Sequence, residues 1–563
     1  MKCAHLLPLF AGVVLSTTSC AQRDQAPATE RPRLVVLCVV DQLATWVFEA
    51  GRPFFAEDGG FRRLLREGVE FPHCAYQHAC TETGPGHATI GTGAPASMHG
   101  IVRNNWWSPE AGTLGYCVLE PMPAVPGLPE GKDRGPGRLL VPTLGDAVKA
   151  QIPGSKVASV SWKDRAAVLM AGKSADVAAW IEASTGNLVT NTAWVKSTPA
   201  WIAAFNEKKA IDGFHGWMWD RIGPEAAYAD LVDDRLYEVP HQNGSNARTL
   251  PQPITGGKPE GGPAFYAEVY GSPVGNAIVR LAAEAAVRGM ELGADAVPDL
   301  LCVSFSSTDV IGHQFGSDSV EARDALLRLD RELALFFDFL DGAAGKARWA
   351  LFLTADHGVG PTPEWAKAHG IDAGRGLLQT KARAAAEKAL MDHFGEPPAG
   401  KRWFTHVGEF TFFFDHEVLA ARRGDRDEAT MLLEAARVAA NAAAATPGMQ
   451  AAFATGDLLA QAWPNDPLRL SLALSLCPGR AGDVQLVVKP HWLDGVSPAS
   501  HGSPHAYDRE VVGLAIGPGV VAGVRLDAPI TPGFGVALFA KMLGIEQPAA
   551  AVDGLPSGLF VGN

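Results

Sequence analysis

The chain has 563 residues, is 47% hydrophobic and 19% charged, and carries a formal net charge of -13. This composition is globular and leaves room for a large core, which excludes a disordered chain. The acidic balance and the lack of a long basic run count against a specific nucleic-acid partner.

In chain order, the N-terminus "MKCAHLLPLFAGVVLSTTSCAQ" reads as a signal peptide over residues 1–21, with a lysine start, an apolar run from Leu6 to Leu15 and small residues after it. Cleavage after Ala21 would release the chain. A lipid anchor on Cys20 is the alternative, and either way the protein is expected to be exported, to the periplasm or beyond. No later segment is long and apolar enough for a transmembrane span. Export permits disulfides, and Cys74, Cys80 and Cys117 could supply one bridge. Cys38 and Cys302 sit in apolar runs and read as buried thiols.

The runs 33–41, 157–162, 299–307, 348–356, 483–489 and 510–517 are apolar throughout, as strands of a parallel sheet covered on both faces are. Helical patterns lie between them at 276–293 and 319–342. The expected fold is therefore α/β, an α/β/α sandwich around a mostly parallel sheet, over residues 33–545. Residues 360–480 break the alternation and read as a cap or insertion. Its alanine-rich stretch 427–445 reads as a solvated helix.

In such sheets ligands bind beyond the carboxyl ends of the strands. Asp41 ends the first strand. "STDVIGHQFG" after the third supplies Asp309 and His313. "TADHG" at the fourth supplies Asp356 and His357. "SHGSPH" after the fifth supplies His501 and His505. Each residue alone is an ordinary cap or turn former, but four strands ending this way point to metal. Imidazole with carboxylate suits zinc, and six ligands suit two ions, the arrangement for in-line phosphoryl transfer. In "CTETGPGHATIGTG", from Cys80, a threonine hydroxyl next to such ions is a candidate nucleophile, and the helix start that follows offers N–H groups to an anion.

Together, "VVDQ", "TGPGHATIGTG", "HGIVRNNWW", "SWKDR", "STDVIGHQFG", "TADHG" and "SHGSPHAYD" resemble, in order, the alkaline phosphatase superfamily. The nearest branch is the type I phosphodiesterase/nucleotide pyrophosphatase-like one, and within it the PafA-like alkaline phosphatases, monoesterases with a threonine nucleophile. The resemblance implies Thr83, not Thr81, as nucleophile and metal contact. It implies Asp41, Asp356 and His357 as ligands of one Zn(2+), and Asp309, His313 and His501 as ligands of a second. Asn104 rather than Asn105, with Lys163 and Arg165, would bind the phosphoryl oxygens. Lys163 and Arg165 match the pair that favours phosphate monoesters over diesters, so small-molecule monoesters are the expected partners and a monomer the expected state. His87 and His99 read as structural, and Trp106 and Trp107 as packing or as the leaving-group side. A phosphodiesterase on the same metals is the alternative. A sulfatase would need a Cys/Ser-x-Pro-x-Arg segment, and Cys80 is followed by "TETG".

Overall fold

The computed structural model describes residues 31–109, 111–240 and 248–562. The signal peptide and Cys20 lie outside them.

The centre is a nine-stranded sheet. Leu34–Val40 pairs in parallel with Asp299–Phe305 on one side and Trp349–Thr354 on the other. Val157–Ser161 and Val177–Ile181 extend the parallel run beyond Asp299–Phe305. Short antiparallel strands close the sheet, including Leu514–Ile516 against Trp349–Thr354 and Leu188–Val189 against Val177–Ile181. All residues of the five parallel strands are buried. Continuous Val, Leu, Ala and Phe is what two covered faces require. Helices pack on the sheet, among them Pro273–Met290, Val320–Leu340 and Asp164–Ala171. This is the α/β architecture expected from the sequence.

Three expectations about these elements need correction. The run 510–517 joins the central sheet as Leu514–Ile516, antiparallel rather than parallel. The run 483–489 does form a strand, Val484–Val488, but not in the parallel sheet. It lies in a separate four-stranded antiparallel sheet with Phe404–Gly408, Thr411–Phe414 and Met449–Ala454. It is apolar on both faces for a local reason. Val484, Leu486 and Val488 face the insertion's own core, while Val487 faces a second cluster with Leu458, Leu472, Leu476 and Ala79. The alanine-rich helix Glu428–Ala444 is not simply solvated. Met431, Ala435, Ala436, Ala439, Ala440 and Ala443 form a buried face against Ala382, Ala386 and Leu390 of Leu378–Phe394.

All six cysteines of the described chain are buried free thiols, so Cys74, Cys80 and Cys117 form no bridge. Cys80 donates to the carbonyl of Val102 at 2.6 Å. Among the described residues no helix is long and apolar enough to cross a membrane.

Candidate active site

Four adjacent parallel strands deliver polar groups to one edge of the sheet. Asp41 follows Leu34–Val40, Asp309 sits in the first turn of Ser307–Phe315 after Asp299–Phe305, Asp356 follows Trp349–Thr354, and Lys163 caps Asp164–Ala171 after Val157–Ser161. Thr83 opens the helix Thr83–Thr92, every residue of which is buried. His501 arrives from the loop that leaves the insertion sheet.

The side chains converge into two groups with metal-ligand spacing. Asp41, Asp356 and His357 form one; Asp309, His357 and His501 form the other. His313 stands beside the second, its Nε2 3.2 Å from Asp309 Oδ1. The three imidazoles share a device. Nδ1 of His313 meets the carbonyl of Ala499 at 2.9 Å, Nδ1 of His357 that of Gly358 at 3.0 Å, and Nδ1 of His501 that of Thr81 at 2.7 Å. A carbonyl only accepts, so each Nδ1 carries the proton, and His357 and His501 turn the Nε2 lone pair toward the carboxylates. At His313 burial is outweighed by the Asp309 carboxylate beside Nε2, which holds the ring above the ordinary imidazole value.

The electrostatics call for cations. Both oxygens of Asp41, Oδ2 of Asp356 and Nε2 of His357 are buried without a hydrogen-bond partner. Burial raises the Asp41 carboxyl well above its usual range, and Asp356 beside it adds to this. Burial likewise pushes Asp356 up to about 7. Asp309 is buried too, but the Lys163 ammonium and the His313 ring outweigh desolvation and hold it well below the ordinary carboxylate value. Burial takes His501 down to about 4 and His357 well below the usual imidazole value, so both are neutral. Three buried carboxylates face one ammonium, and neutral imidazoles aim lone pairs at the same space. That donor set fits divalent metal ions.

Lys163 Nζ lies 2.6 Å from Asp309 Oδ2, 2.6 Å from Asp41 Oδ2 and 3.2 Å from Thr83 Oγ1. Its contact with Asp41 is an ion pair without hydrogen-bond alignment. Arg165 Nη2 donates to Thr83 Oγ1 at 3.3 Å, and Nη1 to the Tyr116 hydroxyl at 3.3 Å. Asp164 anchors this corner, accepting from Tyr116 and Arg134. Asn104 Oδ1 accepts the N–H of Gly84 at 2.7 Å, which leaves its amide nitrogen as the group free to donate. Asn105 opens the hairpin strand Asn105–Ser108 instead. Thr81 donates to the carbonyl of Ser503 and holds His501 through its own carbonyl. His505 turns away, to the carbonyl of Val488. His87 bridges the carbonyl of Thr83 and the Ser304 hydroxyl, and His99 bonds Thr89 and the N–H of Ile101.

Two contributors escaped the sequence reading. Gln42 donates from its backbone to Asp356 Oδ1 at 3.1 Å and from Nε2 to Asp309 Oδ1 at 2.6 Å, tying the two ligand groups together. It does so with φ 68°, in the left-handed region. Glu82 accepts from Arg103 and from the N–H of Asn104, both at 2.7 Å. The signal was adjacency: each follows or precedes a residue the motifs singled out.

Fold and site together define a phosphoryl-transfer enzyme of the alkaline phosphatase superfamily. Residues 35–500 match the family model for type I phosphodiesterase / nucleotide pyrophosphatase; the chain belongs to that family and is a phosphatase. It is 33% identical to a protein of Myroides odoratus named calcium-transporting ATPase, over 88% of each chain. It is 28% identical to alkaline phosphatase PafA of Elizabethkingia meningoseptica, over 97% of each chain. A crystal structure of a PafA variant, substituted at one threonine, one asparagine, one lysine and one arginine, superposes with a TM-score of 0.84 at 26% identity, covering 95% of this chain and 100% of that one.

Proposed function

We propose that the chain is an exported alkaline phosphatase that hydrolyses phosphate monoesters in two in-line displacements, with Thr83 taking the phosphoryl group first. The observation that carries this is the position of Thr83 Oγ1, on a helix N-terminus and within 3.3 Å of both Lys163 Nζ and Arg165 Nη2. The PafA variant supports it, because its four substituted residue types are those of Thr83, Asn104, Lys163 and Arg165, in the same order.

Two zinc ions held by Asp41, Asp356 and His357 and by Asp309, His313 and His501 would supply Lewis-acid stabilisation of the attacking and leaving oxygens. The chain's own residues do the rest. Thr83 gives up its hydroxyl proton and Oγ1 attacks phosphorus, the bond to the ester oxygen breaks, and the alcohol leaves after taking up a proton. Water then attacks the phosphothreonine from the side the alcohol left, loses a proton, and breaks the bond to Oγ1, releasing phosphate and restoring the threonine. Lys163 and Arg165 would meet the non-bridging oxygens, among them the one that a monoester leaves charged and a diester esterifies, the guanidinium as a fork. Asn104 donates its amide to a further oxygen while its carbonyl fixes the start of the helix. Water must lose a proton in the second step, so activity is expected to favour neutral to alkaline pH. Export, and release at Ala21 or anchoring at Cys20, rest on the N-terminal sequence.

The test compares a nitrophenyl monoester with the bis-nitrophenyl diester on metal-loaded wild type and on a Lys163→Ala/Arg165→Ala double variant. Wild type is expected to prefer the monoester strongly, and the variant to lose about 100-fold or more of that activity with little change toward the diester. Preference for the diester, unchanged in the variant, would instead make the enzyme a phosphodiesterase.

A further inference from the structure

A cleft that encloses about 40 Å³ and is otherwise open to solvent runs between the hairpin Asn105–Ser108/Thr113–Tyr116 and the insertion. Its place relative to the site follows from its lining. Arg103 and Asn105 line it, and they flank Asn104, which binds the N–H of Gly84. Gly502 lines it and follows His501, a member of the Asp309, His357 and His501 group. At this end Gly502 lies against Glu82 and Arg103, the ion pair whose carboxylate member directly precedes Thr83 in the chain, so the pair stands between the cleft and the nucleophile loop.

The walls are aromatic and come from two parts of the fold. Trp107 of the hairpin and His406 of the insertion lie parallel, centroids 5.2 Å apart and planes 1° apart. Trp106 beside them is held by the guanidiniums of Arg138 and Arg480, 4.7 and 5.4 Å from its ring. Phe413 adds a further ring from the insertion. Glu409 reaches the cleft with no hydrogen bond or ion pair among the described residues; burial and the nearby Glu82 carboxylate raise its carboxyl, and the Arg103 guanidinium opposes them. Arg103 nearby is already committed to Glu82.

Glu409 sits in an unusual turn. With Phe410 it joins the strands Phe404–Gly408 and Thr411–Phe414, and both residues have positive φ, 51° and 57°. Such a hairpin turn ordinarily takes Asn-Gly, because a side chain is disfavoured at both positions. A strained turn carrying a carboxylate to the edge of a site is the pattern of a functional constraint.

We propose that this cleft is the leaving-group subsite of the phosphatase and that it takes a planar aromatic group, neutral or bearing a hydrogen-bond donor, joined to the ester oxygen by a short linker. The ring extends the Trp107–His406 stack, and Glu409 accepts from a donor on the ring edge and repels a leaving group with a negative charge of its own. The insertion thereby contributes one wall of substrate selection. This rests on the phosphatase reading above.

The experiment compares 2-phenylethyl phosphate with ethyl phosphate, whose ester oxygens are chemically alike and which differ in the ring. It uses metal-loaded wild type, Trp107→Ala, His406→Ala and Glu409→Gln. Wild type is expected to show a kcat/KM at least about tenfold higher for the aromatic ester, and each ring variant to lose most of that ratio while turning over ethyl phosphate normally. Glu409→Gln is expected to keep the ratio but to accept a para-carboxylate analogue about fivefold better than wild type does. Equal rates for the two esters in wild type, or an unchanged ratio in both ring variants, would overturn the subsite and leave the phosphatase reading standing. No turnover of ethyl phosphate by wild type would overturn the phosphatase reading and the subsite with it.

Discussion

His357 and His501 lie ring on ring, centroids 3.5 Å apart and planes 13° apart, with each Nδ1 on a backbone carbonyl. The stack fixes both rings about their long axes, and the carbonyls fix which nitrogen is free. His357 thereby reaches the carboxylates of both ligand groups, whereas His501 belongs to one. The two residues come from distant parts of the chain, the fourth strand end and the loop after the insertion.

This asymmetry gives the first prediction. His501→Ala should reduce bound metal from two ions to about one per chain; His357→Ala should remove the ion of the Asp41 group and also weaken retention of the other, because His357 lies within reach of both groups. Metal analysis of the dialysed proteins checks this. Equal losses in the two variants would mean that His357 serves only one ion.

Gln42 gives the second. Its side chain holds Asp309 and its backbone holds Asp356, with no ligand atom of its own in either group. Residues that orient ligands in this way typically contribute about 10–100-fold to metal affinity. Gln42→Ala should therefore weaken metal retention by about that factor, seen in a chelator titration, with a matching fall in activity at limiting metal and recovery at excess. A variant that stays slow at saturating metal would place Gln42 at the substrate instead.

How legible was all this in the sequence? Four of the five parallel strands were, because burial on both faces writes an unbroken apolar run; Val177–Ile181, five residues long, was missed. Asp41, Asp309 and Asp356 were, because ends of such runs are where polar residues stand out. The strand at 484–488 was misplaced because a strand between two helical layers and a strand between two small cores have the same composition. The buried face of Glu428–Ala444 was invisible because alanine suits both solvent and close helix packing. Gln42 had no signal of its own: its role depends on a left-handed φ and on Gly312, where a Cβ would lie 1.9 Å from the Gln42 side-chain oxygen. The orientation of the imidazoles needed the carbonyls of Thr81, Gly358 and Ala499, which only the fold brings near.

Away from the metal groups, Asp508 sets a third prediction. It is buried, accepts two bonds from Ser503 through Oδ2, and has no partner at Oδ1. Desolvation dominates and pushes it up to about 8. The folded state therefore keeps a proton that the unfolded chain, with a carboxyl near its ordinary value of about 4, has already lost. Stability from this group is full below that ordinary value and falls as pH rises toward about 8. Asp508→Asn keeps an acceptor for Ser503 and cannot ionise. It should match wild type near pH 5 to within about 1 kcal/mol and exceed it by about 4 kcal/mol at pH 9. Denaturant melts at the two pH values check this, and an equal difference at both would show that Asp508 stays ionised in the fold.

The last prediction concerns how the nucleophile is seated. Gly86 lies one turn into the helix that Thr83 opens, and a Cβ there would lie 1.9 Å from the carbonyl oxygen of Asp356 and 2.9 Å from its Cα. Both are backbone atoms of a metal-ligand residue, so neither can swing aside. Gly84 is different: a Cβ there would meet side chains, Asn104 Oδ1 at 3.0 Å and Cys117 Sγ at 3.1 Å, which can yield by a few tenths of an ångström. Gly86→Ala should push the helix off the strand end, cost about 3 kcal/mol of stability, and misplace Thr83 enough to lower kcat/KM by about 100-fold even with metal in excess. Gly84→Ala should cost about 1 kcal/mol and act mainly through Asn104, raising KM for the monoester. If the two variants behaved alike, the contact between helix and Asp356 would not be what positions the threonine.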